Sequence, residues 1–164
     1  MKTLYLLRHA KSSWEEVHLK DFDRPLNKRG RNDAPLMGKV LADKNIKPQL
    51  IISSPAVRAL TTAIIVAKEL QYPQDNIIRE KRAYLAHPHE LLNIIQKTPQ
   101  DINELMLVSH NEGITELANL LSPNQIENIP TAGIVSLSFN CASWLEINKK
   151  NAKLNLFDFP KNYK

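Results

Sequence analysis

The stretch Leu4-Tyr5-Leu6-Leu7-Arg8-His9-Ala10 opens the chain with an unbroken apolar run that stops at an arginine and a histidine. Runs of this length, without alternation, suit a strand buried on both faces of a parallel sheet. Ligands of open α/β sheets bind outside the carboxyl ends of such strands. Arg8 and His9 fall at that end.

Two later stretches repeat the pattern. Pro48-Gln49-Leu50-Ile51-Ile52-Ser53 reads as a second strand, and Ser54-Pro55 after it reads as a helix start, with serine as cap and proline in the first turn. Arg58 then lies in the first turn of a helix expected from Ala56 to Leu70. Leu105-Met106-Leu107-Val108-Ser109 is a third buried-type strand, ending in His110-Asn111-Glu112-Gly113 and a helix near Ile114 to Leu121. Between these, apolar residues recur at helical intervals from Lys28 to Asn45. Pro35 interrupts that pattern, so the regular helix is expected after it or with a distorted first turn. A short strand is expected over Asn76 to Arg79 and a helix over Glu90 to Lys97. Gly133 to Phe139 alternates like an edge strand, and Trp144–Ile147 with Lys153–Phe157 would close the sheet. The order predicts an α/β fold over residues 1–164: one domain, a three-layer αβα sandwich with a mainly parallel sheet.

Composition narrows the functional classes. The chain has 164 residues, 43% hydrophobic and 24% charged, with a formal net charge of +5. That is the balance of a globular protein rather than a disordered one. No apolar run approaches the ~20 residues of a membrane span, and Met1-Lys2-Thr3 leads directly into a strand, so neither a membrane segment nor a signal peptide is expected. The single cysteine, Cys141, makes no internal disulfide, and a reducing cytoplasmic setting is the expectation. Basic residues are dispersed without an aromatic-interleaved platform, so nucleic acid is not the expected partner. Only four glycines are present, at 30, 38, 113 and 133, too few and wrongly placed for a P-loop or dinucleotide fingerprint. Asp21-Phe22-Asp23 follows a polar stretch, not a buried strand, and reads as a solvated loop. His87 and His89 flank Pro88 without a third ligand at matching spacing, so no metal is expected.

If the three strands are parallel, Arg8, His9, Arg58 and His110 converge at one sheet edge. Arginine forks match phosphate oxygens bidentately. Helix N-termini add amide donors and a favourable dipole. A neutral imidazole can attack phosphorus while a second donates to the oxygens carrying charge.

These residues resemble a known family. Arg8-His9-Ala10, Ser53-Ser54-Pro55-Ala56-Val57-Arg58 and Val108-Ser109-His110-Asn111 are similar to the histidine phosphatase superfamily, with its phosphoglycerate mutase-like fold. Arg8-His9-Ala10-Lys11-Ser12 with Asp23-Arg24-Pro25-Leu26-Asn27-Lys28-Arg29-Gly30 looks more narrowly like its SixA-type phosphohistidine phosphatases. The resemblance implies that His9 is a nucleophile forming a phosphohistidine intermediate, and that Arg8, Arg58 and His110 complete the phosphate pocket, with Ser12 and Asn111 as further substrate contacts. It implies no metal and no organic cofactor. Ala10 stands where the superfamily more usually has glycine. Larger relatives carry an acidic proton donor after the short third strand, whereas here Tyr84-Leu85-Ala86-His87 offers no carboxylate before Glu90; Asp21, Asp23 and Glu90 are the candidates for that acid. The expected substrate is a phosphorylated protein, a phosphohistidine carrier domain. Its alternatives are a small phosphate monoester, or a catalytically silent module that binds a phosphorylated partner.

Overall fold

The computed structural model describes residues 1–164. Six strands form one sheet: β1 (Lys2–Arg8), β2 (Leu50–Ser53), β3 (Ile78–Arg79), β4 (Glu104–Ser109), β5 (Ile134–Phe139) and β6 (Ala152–Asp158), in the order β3-β2-β4-β1-β5-β6. The first four are mutually parallel, with Leu4 opposite Leu105 and Arg8 opposite Ser109, and with Leu50 opposite Leu105 on the other side of β4. β5 runs antiparallel to β1, and β6 antiparallel to β5. Four helices pack on the sheet: α1 (Lys28–Asp43), α2 (Val57–Glu69), α3 (Pro88–Gln96) and α4 (Gly113–Leu121).

Successive side chains of a strand point to opposite faces, and the apolar run of β1 serves both. Leu4 and Leu6 join Leu105, Leu107 and Leu137 in a core under α3 and α4, with Leu91, Ile95 and Leu117. Tyr5 and Leu7 join Met106, Val108 and Ile51 in a second core under α1 and α2, with Met37, Leu41 and Ala63. Leu4, Leu6 and Leu7 have no solvent exposure, and each contributes about 1.5–3 kcal/mol of burial. The architecture is the expected three-layer α/β sandwich. No helix is long and apolar enough to cross a membrane.

Local departures from expectation have identifiable causes. α1 runs through Pro35 from Lys28 without waiting for it, started by Asn27, whose side chain accepts from the Gly30 amide at 2.9 Å. A firm N-cap and a buried face of Ala34, Met37 and Leu41 offset the one amide donor that proline lacks. α2 begins at Val57, and Ser54 does not cap it in the expected way. β3 is cut to two residues. Trp144–Ile147 is not a strand: Trp144–Glu146 is a 3₁₀ turn with a capping box between Ser143 and Glu146. It drops the indole into the first core, where its Nε1 donates to the Ile102 carbonyl at 2.8 Å.

Candidate active site

The backbone where β1 ends is fastened from three sides. The Arg8 amide donates to the Gly133 carbonyl at 3.0 Å, the His9 amide to the Ser109 carbonyl at 3.1 Å, and the Ala132 amide to the His9 carbonyl at 3.0 Å. The Ala10 amide donates to Thr62 Oγ1 at 2.9 Å, and that hydroxyl donates to the Arg58 carbonyl at 2.7 Å. One threonine on α2 therefore ties the end of β1 to the turn that carries Arg58.

The four residues expected to converge do so. Arg8, His9, Arg58 and His110 line one cavity of about 340 Å³ at the carboxyl edge of the parallel strands. The His9 and His110 rings lie 5.2 Å apart, centre to centre. His9 Nδ1 is 2.7 Å from the Ala10 carbonyl oxygen, an acceptor, so that nitrogen carries the proton and Nε2 keeps its lone pair. His110 Nε2 is within hydrogen-bond distance of Ser54 Oγ, at 2.7 Å, and that oxygen accepts from the Ala56 amide at 3.2 Å. Arg8 Nη1 donates to the Ile129 carbonyl at 2.9 Å. Three buried nitrogens of this group have no partner in the protein: Arg8 Nε, Arg58 Nε and His110 Nδ1. Buried donors left unpaired are costly and rare, and here all three belong to residues of a single cavity.

The cavity wall carries Arg8, Lys11, Arg24 and Arg58 against one carboxylate, Asp21. Burial first, and then the charges of Arg58, Arg8 and Arg24, lower the His9 pKa to about 4. Burial, then His9 and Arg58, bring His110 to about 3. Both imidazoles are neutral at neutral pH. No group of three or more His, Cys, Asp or Glu side chains is gathered to hold a metal ion. His87 and His89 are exposed.

Of the three carboxylates considered as acids, only Asp21 lines the cavity. Asp23 and Glu90 are exposed and outside it. Asp21 is unsuited to hold a proton. Partial burial would raise its pKa, but the Tyr84 hydroxyl and the guanidinium groups of Arg58 and Arg24 outweigh that and bring it down to about 2. Its Oδ2 accepts from Arg58 Nη2 at 3.0 Å, its Oδ1 from Arg24 Nη2 at 3.1 Å, and its backbone carbonyl from Arg58 Nη1 at 2.7 Å. Asp21 is the post that two arginines are tied to.

Ser12 and Asn111 also line the cavity, with their side chains committed inside the protein. Ser12 Oγ accepts from Arg24 Nη1 at 2.7 Å. Asn111 donates to Asn128 Oδ1 at 2.7 Å and accepts from Thr115 Oγ1 at 2.6 Å. Residues with no role in the sequence reading complete the site. Arg24, nearly buried, packs its guanidinium 3.4 Å from the centre of the Trp14 ring. Tyr84 reaches Asp21 and stands edge-on to His110, ring centres 5.4 Å apart. Lys11, Leu85 and Thr131 fill the remainder of the wall. The signal for Arg24 was present, as an arginine three residues after Asp21 in a loop beside the strand end. Ser54 was visible too, but as a cap.

Residues 4–83 match the family model of the histidine phosphatase superfamily, branch 1. The chain is 35% identical over 158 residues to an uncharacterized chloroplastic protein of Arabidopsis thaliana, across 88% of this chain and 70% of that protein. In structure it resembles a protein assigned as phosphohistidine phosphatase SixA from Agrobacterium tumefaciens, with TM-score 0.80, 26% identity, and coverage of 97% of this chain and 98% of that one. It also shares the fold of a protein histidine phosphatase SixA complexed with tungstate, at TM-score 0.83 and 20% identity over 99% of each chain. The chain belongs to the histidine phosphatase superfamily, with a SixA-like fold.

Proposed function

We propose that this protein is a metal-independent phosphatase that passes a phosphoryl group through His9, and that its substrate is phosphohistidine on a protein carrier. The observation that carries this is the pair of neutral imidazoles 5.2 Å apart, flanked by Arg8 and Arg58. His9 Nε2 attacks phosphorus, the bond from phosphorus to the substrate nitrogen breaks, and phosphoryl rests on His9. Arg8, Arg58 and the Nδ1–H of His110 donate to the equatorial oxygens. In this reading Ser54 gives its proton to His110 Nε2 while its oxygen accepts the Ala56 amide, which leaves the His110 proton on Nδ1. Water then attacks phosphorus and the bond to His9 breaks. Because His9 keeps its Nδ1 proton on the Ala10 carbonyl, it departs as neutral imidazole and needs no acid.

The same economy favours a phosphoramidate over an alkyl phosphate. An alkoxide leaving group demands a proton in the transition state, and the one carboxylate in the cavity is held ionised by two arginines. A phosphoimidazole can take a proton on its other ring nitrogen near neutral pH, and in that form it leaves as neutral imidazole. The cationic wall supplies the charge stabilisation that a metal would otherwise bring.

Rapid quenching with a labelled phosphohistidine carrier in the presence of a chelator tests this. Acid-labile, base-stable phosphate should appear on the wild type and be absent from His9→Ala. Label on His110 would reverse the two roles, and turnover abolished by the chelator would refute metal independence. A preference for alkyl monoesters, lost with Asp21→Asn, would overturn the substrate reading. Phosphate binding without turnover of any phosphorylated substrate would mark a silent module.

A further inference from the structure

Two apolar side chains at the mouth of the cavity play no part in the phosphoryl chemistry above. Trp14 is 70% exposed although the Arg24 guanidinium covers one face of its ring at 3.4 Å. The exposed area is therefore the other face and the edges. That plane is braced, since Arg24 is itself held by Ser12 and Asp21.

Leu85 is 55% exposed and has φ 49°, in the left-handed region. A non-glycine side chain there carries backbone strain, and strain of this kind gathers at functional sites. Burial does not offset it, because the side chain faces solvent. Its neighbour holds it in place: Tyr84 bonds Asp21 and packs edge-on against Phe22, ring centres 5.1 Å apart. Those contacts also lock the Leu85 loop to the loop that carries Trp14. Through Leu85 and Asn111 the cavity continues into a second depression of about 280 Å³, bounded by His87, Pro88, Glu112 and Glu116. The space beyond the phosphoryl site is thus entered past Leu85, with Trp14 on the wall of the cavity before it.

We infer that Trp14 and Leu85 form the leaving-group subsite and select a flat heteroaromatic ring, the imidazole of a phosphohistidine, over a polyhydroxylated alkyl group. The inference rests on the phosphatase reading above and names the part of the site that reads the leaving group. An imidazole stacks on the open indole face. Its protonated form, the one that departs as neutral imidazole, gains a cation–π attraction there as well. A sugar hydroxyl set against the open indole face or the Leu85 side chain would lose water without finding a partner there.

The test compares a phosphohistidine peptide with phosphoramidate, which has the same P–N bond and no ring. Trp14→Ala should lower the ratio of kcat/KM, ring over no ring, about tenfold, and Trp14→Phe should hold it within about threefold. Leu85→Ala should lower it about threefold. Leu85→Gly should lower it equally without lowering Tm, because the strain is relieved. Equal losses on both substrates, meaning that Trp14 only braces Arg24, would overturn the inference, as would an unchanged ratio. Binding of phenylphosphonate against methylphosphonate gives a readout that needs no turnover. If the wild type hydrolyses neither substrate, the phosphatase reading fails. If it shows no ring preference that Trp14→Ala removes, the subsite fails.

Discussion

Acidification should leave this enzyme active well below the pH at which an ordinary histidine nucleophile stops. In the proposed mechanism attack requires the lone pair on His9 Nε2, so the protonated form is inactive. Burial and then the charges of Arg58, Arg8 and Arg24 place the His9 pKa near 4 rather than 6.5. The folded value is depressed, so the neutral form persists as pH falls and is lost only through about 4. At about pH 5 some 90% of His9 is then neutral, against about 3% for an unperturbed imidazole, a difference of about thirtyfold in competent enzyme. His110, at about 3, adds no break in that window. The measurement is kcat/KM from about pH 4 to 8 with an aryl phosphate and with phosphoramidate, each corrected for the substrate's own titration by ³¹P NMR. A bound phosphoryl dianion opposes the arginines and raises both imidazole pKa values, so kcat should break at higher pH than kcat/KM. A break between about 6 and 7, common to both substrates and matched by an imidazole NMR titration that disappears in His9→Gln, would refute the reasoning.

Arg58→Lys keeps the charge and should still lower kcat/KM by about 10²-fold, because an ammonium cannot span the Asp21 carbonyl, the Asp21 carboxylate and a phosphate oxygen together. Steady-state kinetics with the same two substrates measures it, and a loss under about fivefold would contradict the bidentate role. Gly30→Ala should cost at least about 2 kcal/mol and lower Tm by about 4–8 °C, since a Cβ there would lie 2.1 Å from the Lys11 carbonyl oxygen, a backbone atom that cannot swing aside. Gly38→Ala should also lower Tm: its Cβ would lie 2.8 Å from Glu69 Cγ and 2.9 Å from Glu69 Cβ, atoms held close to the α2 backbone, a clash that better helix propensity does not offset.

The site was legible where chemistry sits at a strand end. Leu4–Leu7, Leu50–Ile52 and Leu105–Val108 are apolar without alternation, which marks strands covered on both faces, and their shared direction follows from the helices between them. Arg8, His9, Arg58 and His110 then needed only the carboxyl-edge rule to be brought together. The elements misread were those whose conformation is decided by tertiary partners. Ser54-Pro55 carries the local signature of a helix start, but the hydroxyl is engaged by His110, which lies 56 residues away in sequence. Trp144-Leu145-Glu146-Ile147 has strand composition, yet burying one indole against β1 and α3 outweighs that preference.

Asp21 shows why the polar loop was the least legible part of the site. By composition Asp21-Phe22-Asp23 is solvated surface, and Asp23 is indeed exposed. What separates the two aspartates is that the three-residue 3₁₀ turn aims Asp21 at Arg58, 37 positions on, while Arg24 folds back on it from the same turn. A carboxylate held by two guanidinium groups loses the capacity to be an acid and gains that of a template. It fixes Arg58 by Nη1 and Nη2, leaves Arg58 Nε unpartnered and buried, and sets Arg24 beneath Trp14. The missing proton donor and the ordered arginines are therefore one feature. On the proposed function, a site whose only carboxylate holds cations in register takes a substrate that brings its own proton, and the proposed rim of Trp14 and Leu85 is where that substrate would be read.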